Sequence, residues 1–259
     1  MKSSGLFIIF ILVIFILCIS RYAGTFMPTV IINLDRSPDR LLQMSIQCYL
    51  YGIPFHRHPA VDGNTHIYTG NEKQTLFGLA LRRQTNIDTS NFKHTPEERI
   101  KLYDTWEGEE SFKKTRRIMA CSLSHFQVWE RYKNTDDPYI IVLEDDGKIN
   151  SHFRQQVNTT IKHINSFDPN WDIVWLTGEG PEDKVQVAHW NSYEVYRMDI
   201  PKYIGQGTGG YILSRKGINH FLKALEENGC SDSTDFFLFK HLIRDHSYGI
   251  HPPLVGLQQ

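Results

Sequence analysis

Three consecutive carboxylates, Glu144, Asp145 and Asp146, are the side chains best suited to do chemistry in this sequence. They follow directly on Tyr139 to Leu143, and five apolar residues in a row are typical of a parallel strand covered on both faces. Three carboxylates this close repel one another unless a cation neutralises them, and Mg²⁺ and Mn²⁺ prefer oxygen ligands. The pattern predicts a divalent-metal site, with a solvated acidic turn as the alternative.

The positions of the carboxylates relative to the strand add a geometric expectation. Open α/β sheets bind ligands beyond the carboxyl ends of their strands, so these residues are expected in a cleft. Alternate residues leaving an extended strand face the same way. We therefore expect Glu144 and Asp146 to reach one ion, while Asp145 points to the other side.

The elements that position these carboxylates follow from apolar runs and helix-capping signals. Strands are predicted at residues 29–34, 53–55, 139–143, 173–176 and 211–213, and helices at about 38–51, 117–133 and 215–227. One more helix opens at Thr95, where Thr95 and Glu98 have capping-box spacing. The rest of the polar middle, about residues 65–115, is predicted as a flexible insertion. Alternating strands and helices predict an α/β fold with a mostly parallel sheet.

The chain begins with an unbroken apolar run from Leu6 to Ile19, preceded by Lys2 and followed by Arg21. As a helix this run is about 21 Å long, short of the roughly 30 Å hydrocarbon core, and Arg21 can snorkel to extend it. The sequence favours a membrane anchor over residues 1–27. A cleaved signal peptide and a buried core helix are the alternatives.

Residues 28–259 are predicted to form one domain, since the 259-residue chain is 41% hydrophobic and long enough for one substantial core. Its net charge of -1 and the lack of recognition motifs argue against a nucleic-acid partner.

Six short motifs occur in order along this predicted domain. They are VIINLDRSPDR (30–40), PAVDG (59–63), CSLSHFQVW (121–129), VLEDD (142–146), GGYILSRKG (209–217) and HPPLV (251–255). Together they resemble glycosyltransferase family 25, the lipopolysaccharide and procollagen galactosyltransferase family. The resemblance implies a GT-A type α/β fold with a Rossmann-type sheet, a nucleotide-sugar donor, dependence on Mn²⁺ (or Mg²⁺) and inversion at the anomeric carbon.

The resemblance also implies donor-binding residues, namely Asn33, Arg36, Arg40, Asp62 and His125. Guanidinium groups and helix N-terminal amides suit a diphosphate, which the first three would contact. Arg40 is alternatively a surface residue paired with an acid. Asp62 is alternatively part of an ordinary Asp-Gly turn, and His125 alternatively a hydrogen-bonded core histidine.

Two aspartates, Asp235 and Asp145, are the catalytic candidates. Inversion requires a carboxylate that takes the proton of the acceptor hydroxyl as it attacks. Asp235 is the preferred base or an additional metal ligand. Alternatively Asp235 only caps a helix, and Asp232, three residues earlier, is the other candidate for the helix N-cap. His251 joins Glu144 and Asp146 as a weaker metal-ligand candidate.

The sequence departs from the family pattern at Ile118, where the family usually shows a glutamate. Even so, the motifs predict an inverting hexosyltransferase that moves galactose or glucose from a UDP-sugar to a hydroxyl on a glycan or protein. A non-catalytic sugar- or nucleotide-binding module of the same fold is the alternative. With the anchor, the expected location is a membrane, with the catalytic domain on the luminal or extracytosolic side. In a eukaryote this would be a membrane of the secretory pathway, in the Golgi or the endoplasmic reticulum.

Overall fold

The computed structural model describes residues 27–85, 95–178, 185–198 and 207–257. Its helices are α1 (Pro38–Tyr51), α2 (Gly70–Thr85), α3 (Pro96–Glu107), α4 (Phe112–Tyr132), α5 (Phe153–Phe167), α6 (Arg215–Asn228) and α7 (Thr234–Lys240). A short 3₁₀ helix spans Arg244–His246. The strands are β1 (Thr29–Asn33), β2 (Phe55–Pro59), β3 (Tyr139–Glu144), β4 (Gly147–Ile149), β5 (Ile173–Trp175), β6 (Val185–Trp190), β7 (Tyr193–Arg197), β8 (Gly210–Ser214), β9 (Ser247–His251) and β10 (Val255–Leu257).

An eight-stranded sheet forms the centre of the molecule, in the order β2-β1-β3-β8-β5-β9-β7-β6. Among these described strands β8 and β7 run against the direction of the others, because β8 is antiparallel to both β3 and β5, and β7 to both β9 and β6. A separate ribbon pairs β4 with β10. The α/β fold with a mostly parallel sheet is confirmed.

Side chains of the sheet alternate between two apolar layers, as period-two strands require. Ile140 and Val142 of β3 face a cluster shared with α2, α4 and α6, whereas Ile141 and Leu143 face a cluster shared with α1 and α5. Gly217 lets the start of α6 lie directly on the entry to β5, since a Cβ there would be 2.1 Å from the Asp172 carbonyl oxygen.

The edge that matters for function is the one where β1 and β3 end. These strands are parallel, with Ile32 opposite Glu144, so Asn33 comes level with the turn that follows β3. The antiparallel β8 begins at the same edge, where the Glu144 amide donates to the Gly209 carbonyl oxygen at 3.1 Å. Polar ends of three neighbouring strands therefore meet in one place.

Several predicted elements are confirmed with adjusted bounds. Helix α1 ends, as expected, at Gly52, whose φ of 66° is left-handed. The capping box of Thr95 and Glu98 opens α3. The second strand lies at Phe55–Pro59 rather than at 53–55, because it pairs with β1 from Thr29 onward.

The prediction of a flexible middle segment was wrong for α2. This helix has weak amphipathic character in sequence, yet Leu76, Leu79 and Ala80 are fully buried against the core. Helix α4 also starts five residues earlier than expected, since the basic stretch before Arg117 carries no apolar period but continues the same helix.

The apolar run Leu6–Ile19 lies outside the described residues. Within the part of the chain that the structure describes, no helix is long and apolar enough to cross a membrane.

Candidate functional site

A cavity of about 190 Å³ opens at the edge where β1 and β3 end. Its wall comes from the segment after β1, the turn after β2, one face of α4 and the end of β3. Its charged members are Arg36, Arg40, Arg117, Glu144, Asp145 and Asp146. The cavity therefore combines three arginine side chains with the three carboxylates that the sequence analysis identified.

Asp145 is the most tightly held of the three carboxylates. Asn33 donates to its Oδ2 at 2.6 Å, and Arg40 Nη1 lies 3.4 Å from its Oδ1. Asn33 is itself fixed, because its amide also donates to the Ser37 carbonyl oxygen at 2.9 Å and its Oδ1 accepts from Arg57 Nε at 2.9 Å. Both oxygens of Asp145 thus have protein partners.

Glu144 faces the other side, toward α4. Its Oε1 is 3.3 Å from His125 Nε2 and accepts a hydrogen bond from Thr208 Oγ1 at 2.5 Å. Burial would raise the pKa of Glu144, but the hydrogen bonds from His125 and Thr208 and the charge of Arg40 outweigh burial and lower the pKa. Glu144 is therefore ionised at neutral pH, and both hydrogen bonds described for its carboxylate end on Oε1.

Asp146 is the most exposed of the three, with 41% of its side chain accessible and Arg40 at 3.6 Å. Burial and then the charge of Glu144 raise the pKa of Asp146, and Arg40 opposes the shift. Excess negative potential remains at this point of the cavity. A divalent cation would relieve it.

The chemistry of these donors fits Mn²⁺ or Mg²⁺. Glu144 Oε2 and the Asp146 carboxylate are the oxygens without a second strong partner among the described residues, and hard cations prefer such ligands. The alternation expected from an extended strand does not apply, because β3 ends at Glu144 and residues 145–146 form a turn. The assignment of Glu144 and Asp146 as metal ligands stays a prediction.

His125 is fully buried and lies between two further groups. Its Nδ1 is 2.8 Å from the Tyr211 hydroxyl. The oxygen of that hydroxyl accepts a hydrogen bond from Trp129 Nε1 at 3.0 Å. Burial raises the pKa of Tyr211 well above its ordinary value, so the phenol keeps its proton. Cys121 Sγ, His125 and Glu144 each place a possible ligand atom within 4.8 Å of the others.

Arg36 lines the cavity in the segment after β1, and Asp62 lies in the segment after β2. Arg36 Nε forms an ion pair with Asp62 Oδ2 at 2.8 Å, while Asp62 Oδ1 accepts from the Asn64 amide at 2.9 Å. Asp62 therefore forms the turn suggested by its Asp-Gly sequence and also orients an arginine of the cavity. Its role in donor binding stays a prediction.

Asp235 lies in the first turn of α7, where Ser233 Oγ donates to its Oδ1 at 2.6 Å. Helix α7 packs against α4, where Phe237 contacts Phe126, but Asp235 is not among the residues that line the cavity. Asp232 is not the helix N-cap, since Ser233 takes that position and Asp232 pairs with Arg82.

His251 is not brought to this cluster. It ends β9, which is separated from β3 by β8 and β5. At about 4.8 Å per strand, three steps across the sheet put its backbone about 14 Å from that of Glu144. His251 is not among the described residues that lie close enough together to share a metal ion. Its assignment as a metal ligand finds no support in this arrangement and stays a prediction.

Sequence reasoning missed Thr208, Tyr211, Trp129 and Cys121 as members or supports of the site. Tyr211 and Trp129 are apolar-looking positions of a strand and a helix, and their polar atoms meet only through the fold. Cys121 had a usable signal, because it precedes His125 by four residues and so shares its helix face.

Comparison with known proteins matches most of this chain to one protein family. The family model described as "Glycosyltransferase family 25 (LPS biosynthesis protein)" matches residues 26–237. "Procollagen galactosyltransferase 1-B" of Xenopus laevis is 26% identical over 226 residues, covering 84% of this chain and 32% of that protein. "Probable inactive glycosyltransferase 25 family member 3" of Rattus norvegicus is 24% identical over 160 residues, covering 61% and 24%. The chain thus spans about a third or less of the length of these relatives.

A solved structure described as a glycosyltransferase involved in the glycosylation of the major capsid of PBCV-1 aligns over 87% of this chain and 82% of its own, at 10% identity. The TM-score of 0.38 is too low to support a residue-level comparison.

The support that Asn33 gives to Asp145 leads to a stability prediction. Asn33→Ala removes the amide that donates to a buried carboxylate, so the free energy of unfolding should fall by about 1–3 kcal/mol. Urea denaturation in metal-free buffer measures it. Asn64→Ala, which changes an exposed turn asparagine, should stay within about 0.5 kcal/mol of the unchanged protein. Equal midpoints for both variants would mean that the Asn33–Asp145 contact does not hold the site.

Proposed function

Because the chain belongs to glycosyltransferase family 25, we propose that it is an inverting hexosyltransferase of GT-A type that moves galactose or glucose from a UDP-sugar to a hydroxyl on a glycan or protein. The observation that carries this proposal is the cavity at the ends of β1 and β3. There a carboxylate cluster suited to a divalent cation lies beside arginines suited to a diphosphate.

The two sides of the cavity divide the binding of the donor. Arg40 and Arg36 offer charge-assisted hydrogen bonds to phosphate oxygens, and Arg40 lies in the first turn of α1, where the helix dipole also favours an anion. Glu144 and Asp146 would hold Mn²⁺ or Mg²⁺, which supplies charge neutralisation for the departing diphosphate.

Proton removal from the acceptor fits Asp235 better than Asp145. The acceptor oxygen forms a bond to the anomeric carbon as the bond to the diphosphate breaks, and a carboxylate takes the hydroxyl proton. Asp145 has both oxygens engaged by Asn33 and Arg40. Asp235 has one oxygen engaged by Ser233 and lies in the first turn of α7, which packs against α4.

A non-catalytic role is the second candidate, because similar relatives are described as inactive. Ile118, in place of the glutamate usual in the family, gave this candidate its support in the sequence. In the structure Ile118 packs against the apolar core, whereas its neighbours Arg117 and Cys121 line the cavity. The carboxylate cluster is intact, which favours the active enzyme.

We also propose that Leu6–Ile19 tethers the domain to a membrane of the secretory pathway, with the domain on the luminal side. The support is the unbroken apolar run itself, which ends eight residues before Met27, the first described residue.

Removal of the Asp146 charge tests the enzymatic proposal. Asp146→Asn keeps the volume and relieves repulsion from Glu144, so the protein should fold normally. UDP release from UDP-galactose or UDP-glucose with Mn²⁺ should fall at least about a hundredfold. Asp104→Asn on α3, a matched change outside the cavity, should leave it unchanged. Near-normal release by Asp146→Asn would remove the metal assignment, and UDP binding without any release by the unchanged protein would favour the non-catalytic candidate.

Loss of Arg40 should change the binding of two ligands in opposite directions. Arg40→Ala removes a diphosphate contact, so calorimetry should show UDP binding weakened by about 1.5–3 kcal/mol. The same change leaves Asp145 and Asp146 without their shared cation, so Mn²⁺ alone should bind more tightly, by on the order of 1 kcal/mol. Arg197→Ala on β7 is the control. Unchanged affinity for both ligands would make Arg40 an ordinary surface residue.

The tether is tested by cell fractionation. A chain that starts at Met27 should remain in the supernatant and keep full UDP binding, while the full chain sediments with membranes. Aggregation of the shortened chain, or loss of its UDP binding, would place the apolar run in the protein core instead.

A further inference from the structure

A chain of buried hydrogen bonds runs behind Glu144 and links three elements. It consists of Trp129 and His125 on α4, Tyr211 on β8, and Glu144 at the end of β3. The successive distances are 3.0 Å from Trp129 Nε1 to the Tyr211 oxygen, 2.8 Å to His125 Nδ1, and 3.3 Å from His125 Nε2 to Glu144 Oε1. Trp129, Tyr211 and His125 are all fully buried, so water does not compete for these bonds.

The direction of each hydrogen bond follows from the number of protons available. The indole of Trp129 can only donate, so the Tyr211 oxygen accepts from it. Tyr211 then has one proton left to donate, and among the described residues the acceptor in reach is His125 Nδ1. A neutral imidazole that accepts at Nδ1 carries its proton on Nε2. That proton points at Glu144 Oε1.

We propose that Tyr211, with Trp129 behind it, is a positioning residue that fixes His125 in the Nε2–H tautomer and so keeps His125 out of the metal site. Glu144 is then held through Oε1 by His125 and Thr208, and its Oε2 is left for the cation. The metal part of this proposal rests on the proposed function; the tautomer part does not.

The alternative arrangement shows why this control matters. Cys121, His125 and Glu144 are close enough to form a sulfur, nitrogen and oxygen site, and such a donor set favours Zn²⁺ or Co²⁺ over Mn²⁺ and Mg²⁺. A metal-bound histidine generally donates through its other ring nitrogen to a neighbouring acceptor. Here that nitrogen, Nδ1, accepts a hydrogen bond from Tyr211. Metal binding by His125 would leave the buried Tyr211 hydroxyl without an acceptor among the described residues, which is unfavourable.

The tautomer is measured directly by two-bond ¹⁵N–¹H correlation NMR of the ¹⁵N-histidine-labelled full chain in mild detergent, without metal. The signals of His125 are identified by their loss in His125→Gln. We expect only the Nε2–H form in the unchanged protein, and a loss of that preference in Tyr211→Phe. Tyr248→Phe, which removes another buried, hydrogen-bonded hydroxyl, should leave it as it was. A doubly protonated or Nδ1–H His125 in the unchanged protein, or an unaltered tautomer in folded Tyr211→Phe, would overturn the proposal.

Metal selectivity is measured with Co²⁺, whose bond to a thiolate gives a charge-transfer absorption. The unchanged protein should show no such band. Tyr211→Phe should gain it and should bind Zn²⁺ at least about tenfold more tightly, and Cys121→Ser added to Tyr211→Phe should abolish the band. A Cys121-dependent band in the unchanged protein would make His125 and Cys121 metal ligands and refute the proposal. The tautomer result stands or falls independently of UDP-sugar turnover, so failure of one is distinguishable from failure of the other.

Discussion

Mutual repulsion of Glu144, Asp145 and Asp146 is the constraint on which the rest of the site depends. Asp145 and Glu144 have separate partners on elements that are far apart in sequence, whereas Asp146 shares Arg40 with Asp145. Asn33 and Arg40 hold Asp145, whereas His125 and Thr208 hold Glu144. Asp146 shares Arg40 and keeps a raised pKa, so the repulsion is lowered but not removed. The remaining negative potential is what makes the cavity suited to a cation.

The sheet is what brings these partners together. Alternation along β3 sends Glu144 to the same face as Val142, where α4 packs, while the turn after β3 directs Asp145 toward β1 and α1. Parallel pairing of β1 with β3 then places Asn33 level with Asp145. The antiparallel β8 brings residues that precede it, including Thr208, to the same edge. If β8 were parallel to β3, the residues that follow β8 would lie at this edge instead of those that precede it.

Local sequence was enough to predict the parts of this site that lie on one element. The apolar run before Glu144 placed the carboxylates at a strand end, and the Pro38 and Gly52 signals bounded α1. The partners of those carboxylates could not be predicted in the same way, because Thr208 and Tyr211 carry no pattern of their own and depend on long-range pairing. Helix α2 was missed for a related reason, since tertiary packing rather than amphipathic period decides its burial.

The geometry of α4 determines how Ile118, the residue that departs from the family pattern, lies relative to the cavity. Positions 117, 121 and 125 recur at a spacing of four, so they share the face of α4 that lines the cavity. At about 100° per residue, Ile118 lies about 60° from Cys121 and about 20° from His125 around the helix axis. Ile118 therefore lies at the border of that face, where it contacts the core. At this border Ile118 adds an apolar side chain to the core cluster, where a glutamate would add a further carboxylate beside the cavity. With Ile118 there, the negative charge of the cavity comes from Glu144, Asp145 and Asp146 alone among its lining residues, and the partners of these carboxylates determine where that charge lies.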